Sequence, residues 1–438
     1  MTETSSSGNT STKLAWIASM ARRDKRFCFS NLAHLLTIEH LHEAHLRVRH
    51  DGAAGVDRVT AEEYDLALDG NLAALHARLA AGTYRAPAVR RVHIPKAAGK
   101  TRPIGIPTFE DKIVQRSVVM LLEPIYEQDF LNCSHGFRPG RGAHQALDRL
   151  WGITMRLGGG WVLDVDLRDF FGSLSHEVLQ ELVAHRVGDG RIRRLIGKWL
   201  KAGVMEQGKV SYPEQGTPQG GVISPLLANI CLHYVLDVWF EDEVKPRLSG
   251  TAELIRYAAD FVIVCERERD AVRLAEVLPR RLGRFGLAVN EDKTRVLRFV
   301  RPDRMPANDP PTTGRGTFGF LGFTHFWRRS PRSGWVLTRK TMAGRFARAL
   351  RSISDWCRTH RSVPIDEQHR ALCRKVKGHY AYYGVRGNFR ALSRFRYNVY
   401  LIWVKWLQRR SQRSTYTRAQ RQRIANRWSL PPPRLIAS

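Results

Sequence analysis

The chain has 438 residues, with 71 Lys or Arg against 41 Asp or Glu, a formal charge of +30. At 43% hydrophobic and 26% charged it has the make-up of a globular protein, not a disordered one, and its length favours two or three domains. No stretch approaches the roughly 18 uninterrupted apolar residues of a membrane helix, the polar start at 1–12 lacks a signal peptide's apolar core, and six scattered cysteines without a CxxC pair exclude a disulfide framework and a four-cysteine zinc site; a soluble intracellular protein is expected.

Helical spacing runs through residues 14–49, with Leu32, Leu35 and Leu36 followed by Leu41, Ala44 and Val48. A glycine-punctuated loop at 51–57 precedes a helix predicted over 61–80 with Thr60 as its N-cap. Residues 89–106 alternate as two strands around a polar turn at 97–100. Helices are predicted near 109–129 and 144–152, then a strand over 161–167 and helices over 176–185 and 191–202. A further helix is predicted from Ser224 to about Phe240, two short strands about a tight turn at 254–264, a helix over 268–285 and a strand over 294–300. The Pro-, Asp- and Gly-rich stretch 301–317 reads as a loop. Past Arg339 the pattern is helical: Met342, Phe346, Ala349, Ile353 and Trp356 recur at three or four residues, as do Phe389, Leu392, Phe395, Val399, Ile402 and Trp406.

The charge is uneven. Residues 328–438 hold 27 Lys or Arg against three acids, a net of +24, which leaves only +6 on the first 327. A charge run is usually a solvated helix face, but self-repulsion at this density disfavours compaction without an anionic partner. The same block carries Trp335, Trp356, Trp403, Trp406 and Trp428 and six tyrosines. Basic groups that release counterions from phosphates, beside aromatics that stack on bases, indicate nucleic acid.

On the strand at 161–167, period two puts Leu163, Val165 and Leu167 on one face and Asp164 and Asp166 on the other. A structural role for both acids needs cationic partners; a site for a hard divalent ion is the sharper reading. Asp260, in the tight turn between the two short strands at 254–264, is at its simplest a turn former. Near Asp166 it would complete a metal site suited to phosphoryl transfer.

Read in order, these residues resemble a family. GAAGVDRVT (52–60), RRVHIPKAAGKTRPIGIPT (90–108), HGFRPGRGAHQAL (135–147), WVLDVDLRDFF (161–171) and QGTPQGGVISPLLANI (215–230) are followed by RYAADFVIV (256–264), GLAVNEDKT (286–294), FGFLGF (318–323) and GHYAYYGVRGN (378–388). Nine motifs in this order and spacing resemble the reverse transcriptases encoded by bacterial group II introns, over nearly the whole chain. The resemblance implies an α+β right-hand polymerase, with fingers and palm built on antiparallel sheet and then an all-helical thumb and maturase domain. The divisions expected are 1–75 for the N-terminal extension and start of the fingers, 76–325 for fingers and palm, and 326–438 for thumb and maturase region. By the same resemblance, Asp166, the Leu167 carbonyl and Asp260 hold Mg²⁺ and Asp164 supports them. Lys96, Arg102 and Lys293 face the triphosphate, although each alone could be a solvated charge. Phe171 lies under the sugar of the incoming nucleotide, and Gln219 lines its pocket. Arg409, Arg410 and Arg413 are expected on RNA. The partners implied are group II intron RNA, an RNA template with DNA primer, and deoxynucleoside triphosphates, in the cytoplasm as a nucleoid-associated ribonucleoprotein and without a membrane.

The chain departs from the family at one critical place. The turn reads Tyr257-Ala258-Ala259-Asp260 where the family has Tyr-Ala-Asp-Asp, so a metal-ligating acid is replaced by Ala259. Weak or absent DNA polymerisation is expected. A smaller departure is Arg58, where the family usually has glycine. The end, LPPPRLIAS, carries neither the DNA-binding segment nor the endonuclease of some relatives and resembles the compact subclass that lacks them. Three readings follow: a working polymerase and maturase of a mobile intron, a polymerase-inactive RNA-binding maturase, or a domesticated relative used in phage defence or DNA repair.

Overall fold

The computed structural model describes residues 6–95, 101–206, 208–212, 216, 220–305, 316–331, 333–410 and 416–436. The elements begin with α1 (Ser6–Arg23), α2 (Ile38–Arg47), α3 (Ala61–Asp65) and α4 (Leu68–Ala80). The expected helical stretch at 14–49 is thus two helices joined by a segment with one 3₁₀ turn (Ala33–Leu35). The helix at 61–80 also breaks, at Leu66–Ala67, although its start is as expected: Thr60 and Glu63 form a reciprocal capping box.

The hairpin of β1 (Val89–Pro95) and β2 (Thr101–Ile106) is antiparallel, pairing Ile94 with Arg102 and Arg90 with Ile106; the polar turn between them lies outside the described residues. Then come α5 (Phe109–Asp129), capped by Thr108 on the Asp111 amide, α6 (Ala143–Leu157) and β3 (Trp161–Arg168). The short α7 (Phe170–Ser173), α8 (His176–Ala184) and α9 (Gly190–Leu200) lead to the small strands β4 (Val204–Glu206) and β5 (Lys209–Ser211). These last two are too short to show a period, and no reading of the sequence predicts them.

Next is α10 (Ser224–Leu232), followed by β6 (Ala252–Tyr257) and β7 (Asp260–Cys265), α11 (Glu268–Gly283), β8 (Ala288–Val289) and β9 (Arg295–Arg298). The helix expected from 224 to about 240 holds its α form only to Leu232 and continues as π-helix at His233–Asp237 and Trp239–Val244. That wider winding carries Asp237, which is fully buried. The largest correction lies at the end of this region. β10 (Phe318–Phe320), β11 (Phe323–Ser330) and β12 (Gly334–Thr341) form an antiparallel three-stranded sheet, so the helices start at Ala343. Basic residues such as Arg328, Arg329 and Lys340 interrupt the apolar alternation that would announce these strands. The chain ends in α12 (Ala343–Thr359), α13 (Ile365–Tyr383), α14 (Phe389–Gln408) and α15 (Arg418–Arg427).

Strand order is β2-β1-β4-β5 in one sheet and β6-β7-β3-β8 in another, where β9 also pairs with β3. The chain divides into two compact units, and the division passes through β3 and β7. The first unit comprises Met1–Gly142, Val165–Phe261 and Val272–Arg295; the second comprises Ala143–Asp164, Val262–Ala271 and Val296–Ser438. Together they form the α+β architecture expected, with a helical C-terminal region. In the second unit, α12, α13 and α14 bury Leu372, Val376, Leu392, Phe395, Val399 and Trp403 in one core. Trp403 Nε1 donates to Gln368 Oε1 at 2.8 Å, so its polar edge is satisfied inside.

Candidate active site

Along β3 the side chains alternate as a pleated strand requires: Leu163, Val165 and Leu167 are buried, while Asp164 and Asp166 are half-buried on the other face. The turn at Asn290–Thr294 wraps the second acid. Asp166 Oδ2 accepts from Lys293 Nζ at 2.8 Å and Asn290 Nδ2 at 3.1 Å. The backbone completes the clamp, with Asn290 N donating to the Asp166 carbonyl at 2.8 Å and Asp166 N to Thr294 Oγ1 at 3.3 Å. Leu167 pairs with Val289 on β8. The Lys293 and Asp166 side chains are 58% and 41% exposed, so their ion pair adds little stability and stays open to an exchangeable ligand.

β7 is the sheet neighbour of β3, which sets the turn that opens β7 and Asp166 on adjacent strands. In that turn Ala258 has φ of 55°, a left-handed conformation that costs a non-glycine residue about 1–3 kcal/mol and persists only where its surroundings impose it. The surroundings are a buried polar network. Arg256, fully buried, donates from Nη1 to the Ala258 carbonyl at 3.1 Å and to Asn229 Oδ1 at 2.9 Å. Its Nε reaches Asp237 Oδ1 at 2.8 Å, and Nη2 binds the other oxygen of that carboxylate. Full burial pushes the Asp237 carboxyl up from its ordinary value, against the pull of the Arg256 guanidinium. Asn229 Nδ2 in turn donates to the Gly136 carbonyl at 2.7 Å. A Cβ on Gly136 would lie 2.5 Å from the Ala258 nitrogen, so only glycine lets this loop back the turn so closely. Ala259 is half-buried and Asp260 exposed at the tip.

Phe171 sits in α7, half-buried, with its ring edge-on to the buried Phe170 at 5.2 Å. The glycine-rich loop begins directly over it: Gly216 N donates to the Leu174 carbonyl at 2.9 Å, and a Cβ on Gly216 would lie 2.8 Å from the Phe171 carbonyl. At its other end Gly220 lies on β2, where a Cβ would meet the Gly105 carbonyl at 2.5 Å. Gly216 thus lies against Phe171 and Gly220 against the β1–β2 hairpin, where Arg102 is exposed. Lys96 and Gln219 lie outside the described residues. Behind the loop, Ile223 N donates to Gln115 Oε1 at 3.2 Å, and Gln115 Nε2 to Asp111 Oδ2 at 2.9 Å. Asp111 also accepts from Tyr84 Oη at 2.6 Å and Trp199 Nε1 at 2.7 Å.

Asp237, Asn229, Arg256, Asp111 and Gln115 have no place among the sequence-predicted site residues. Polar types inside apolar runs are the one signal that could have found them.

In the second unit, basic groups lie over aromatic rings: Lys375 over Trp356 at 5.4 Å, Arg394 over Phe346 at 5.8 Å and Arg409 over Trp406 at 5.1 Å. Trp356, Arg370, Arg374 and Lys377 line an open cleft of about 830 Å³. Arg409 and Arg410 follow α14, both exposed, with Arg410 hydrogen-bonded to the Val363 carbonyl; Arg413 lies outside the described residues.

Asp166 on β3 and Asp260 at the start of the neighbouring β7 are oxygen donors of the kind that suits a hard divalent cation, and Lys293 shows that Asp166 already attracts a positive charge. Ala259, beside Asp260, offers only its backbone.

A family model described as reverse transcriptase (RNA-dependent DNA polymerase) matches residues 94–325. Protein YkfC of Escherichia coli (strain K12) is 35% identical over 272 residues, 55% of this chain and 71% of that protein. The group II intron-encoded protein LtrA of Lactococcus lactis subsp. cremoris is 36% identical over 232 residues, 50% of this chain and 38% of LtrA. Nuclear intron maturase 2, mitochondrial, of Arabidopsis thaliana is 31% identical over 231 residues, 44% of this chain and 30% of that protein. The match thus spans well under half of these last two relatives.

Proposed function

Because the chain belongs to the reverse transcriptase family, the RNA-dependent DNA polymerases, we propose that it serves a group II intron as a maturase that binds intron RNA and assists splicing, with a polymerase palm impaired at Ala259. The observation that carries this reading is the turn itself. Its scaffold of Arg256, Asp237 and Asn229 is complete, yet the residue beside Asp260 has no carboxylate.

Relatives of this family generally use divalent metal ions, and Mg²⁺ held by Asp166, the Leu167 carbonyl and Asp260 would supply Lewis-acid stabilisation to the oxygens of phosphoryl transfer. The residues around it divide the remaining work. Lys293 neutralises Asp166 and stands ready for the phosphates, joined there by Arg102 and Lys96 from the fingers. Phe171 supports the sugar of an incoming deoxynucleoside triphosphate under the loop that carries Gln219. The basic, aromatic C-terminal region, with Arg409, Arg410 and Arg413, holds RNA, which fits a functional division at residues 75 and 325.

Primer extension on an RNA template tests the palm. The chain as it stands is expected to extend feebly, and Ala259→Asp to extend on the order of 100-fold or more faster, since even outer-shell partners of a metal site are worth 10–100-fold. No gain on restoring the acid would overturn this account of the turn. Splicing of the cognate intron RNA at low Mg²⁺, with and without protein, tests the maturase role; absence of stimulation would refute it.

A further inference from the structure

One side-chain cluster outside the palm is built from the ligand types of a metal centre. His45 in the last turn of α2, His50 in the loop after it and Asp65 at the end of α3 bring their ligating atoms within 4.8 Å of one another. His45 Nε2 lies 2.7 Å from Asp65 Oδ1, and His50 Nδ1 lies 3.5 Å from Asp65 Oδ2.

The tautomer of His50 decides what this means. Its Nε2 lies 3.2 Å from the His45 backbone carbonyl, which can only accept. That nitrogen therefore carries the hydrogen, and in the neutral ring Nδ1 is a bare lone pair. The lone pair faces a carboxylate oxygen, and two acceptors at 3.5 Å repel unless a cation lies between them. A carbonyl behind the ring is also the orienting partner that ligating histidines have. His45 is almost wholly buried and its Nδ1 has no hydrogen-bond partner, so its polar contact is Nε2–H donating to Asp65 Oδ1 at 2.7 Å; an ion bound at Nε2 takes the place of that hydrogen, the neutral ring then carrying its hydrogen on Nδ1. Phe109 packs edge-on against both imidazoles, at 5.9 and 5.5 Å. The Asp65 and His50 side chains are 36% and 40% exposed, leaving room for water to complete a coordination shell.

We propose that His45, His50 and Asp65 bind a divalent transition ion of the zinc class. Two imidazoles and one carboxylate with an open position suit such ions and not Mg²⁺, which takes oxygen ligands. The ion staples α2 to α3 across the glycine loop at 52–59. Within that loop the Ala53 carbonyl accepts from Lys112 Nζ at 2.8 Å and the Ala54 carbonyl from Arg90 Nη2 at 2.6 Å, so the staple also steadies the base of the fingers hairpin.

The test is a titration of the metal-free full chain with Zn²⁺, and with Co²⁺ as a coloured probe, beside His50→Gln and Asp65→Asn. His50 is partly exposed, so its variant folds even if Asp65→Asn does not; circular dichroism checks both. The wild-type chain is expected to hold one more equivalent of Zn²⁺ than either variant, to show a Co²⁺ spectrum that both lose, and to exchange amides more slowly across 48–60 when Zn²⁺ is present. Equal stoichiometry with no wild-type-specific spectrum overturns the proposal and leaves a second proton on His50 as the cation between the two groups. These readouts involve neither splicing nor primer extension, so the proposal and the functional reading fail separately.

Discussion

At the scale of single residues, the turn at Tyr257–Asp260 holds an alanine beside Asp260 within a complete polar support. Arg256 is the centre of that support. Its guanidinium binds Asp237 through two nitrogens and also reaches Asn229 and the Ala258 carbonyl. A buried pair of this kind adds little over an apolar pair of equal volume, but removing one partner strands a charge and costs about 3–5 kcal/mol. Asp237→Ala is therefore expected to lower unfolding stability by about 3–5 kcal/mol in a urea titration. An unchanged midpoint would show that water replaces the carboxylate and that the pair does not hold the turn. Asp166 was legible from sequence because alternation along an apolar strand isolates it. Arg256 opens the motif at 256–264, but only the fold shows its side chain turned inward.

Among the elements, two departures from regular structure do the positioning. The π-helical winding at His233–Asp237 carries Asp237 to Arg256, and Gly216 and Gly220 pack closely against Phe171 and β2. Neither is visible in a hydrophobic period, because a π turn and an α turn bury the same residue types. The C-terminal helices were far more legible: the three- and four-residue recurrence around Leu392, Phe395 and Val399 is the core they form. Beyond α14, replacing Arg409, Arg410 and Arg413 together with glutamine is expected to weaken binding to intron RNA. The dependence of log affinity on log salt should flatten by about one unit for each arginine that meets a phosphate. An unaltered slope would assign these side chains to solvent, with Arg410 held on the Val363 carbonyl.

For the molecule as a whole, charge and acid sensitivity follow different residues. The net +24 on residues 328–438 favours binding to a polyanion at moderate salt. Acid sensitivity comes instead from buried histidines. Burial, which disfavours the imidazolium, brings His233 and His325 down to about 3 and His379 to about 4 from the ordinary 6.5. The unfolded chain takes up protons near pH 6.5 that the fold refuses until those lower values, so acid favours unfolding in that window. Stability is expected to be level in this respect above pH 6.5 and to fall below it, by up to about 1.4 kcal/mol per pH unit for each histidine. Urea midpoints at pH 7.5 and 5.5 check this, and His325→Phe should narrow the gap; equal midpoints would contradict it. Among the described residues no helix is long and apolar enough to cross a membrane.

The sequence by itself determined the family, the α+β class, the order of motifs, the alanine at 259 and the concentration of positive charge near the end. Each of these is a matter of residue type, spacing or count, which local order preserves. Only the tertiary structure decided which polar groups face one another. Arg256 meets Asp237 across 19 residues, Lys293 meets Asp166 across 127, and His45 meets Asp65 across 20. Burial and hydrogen bonding between such distant positions depend on how elements pack, and no local period records that.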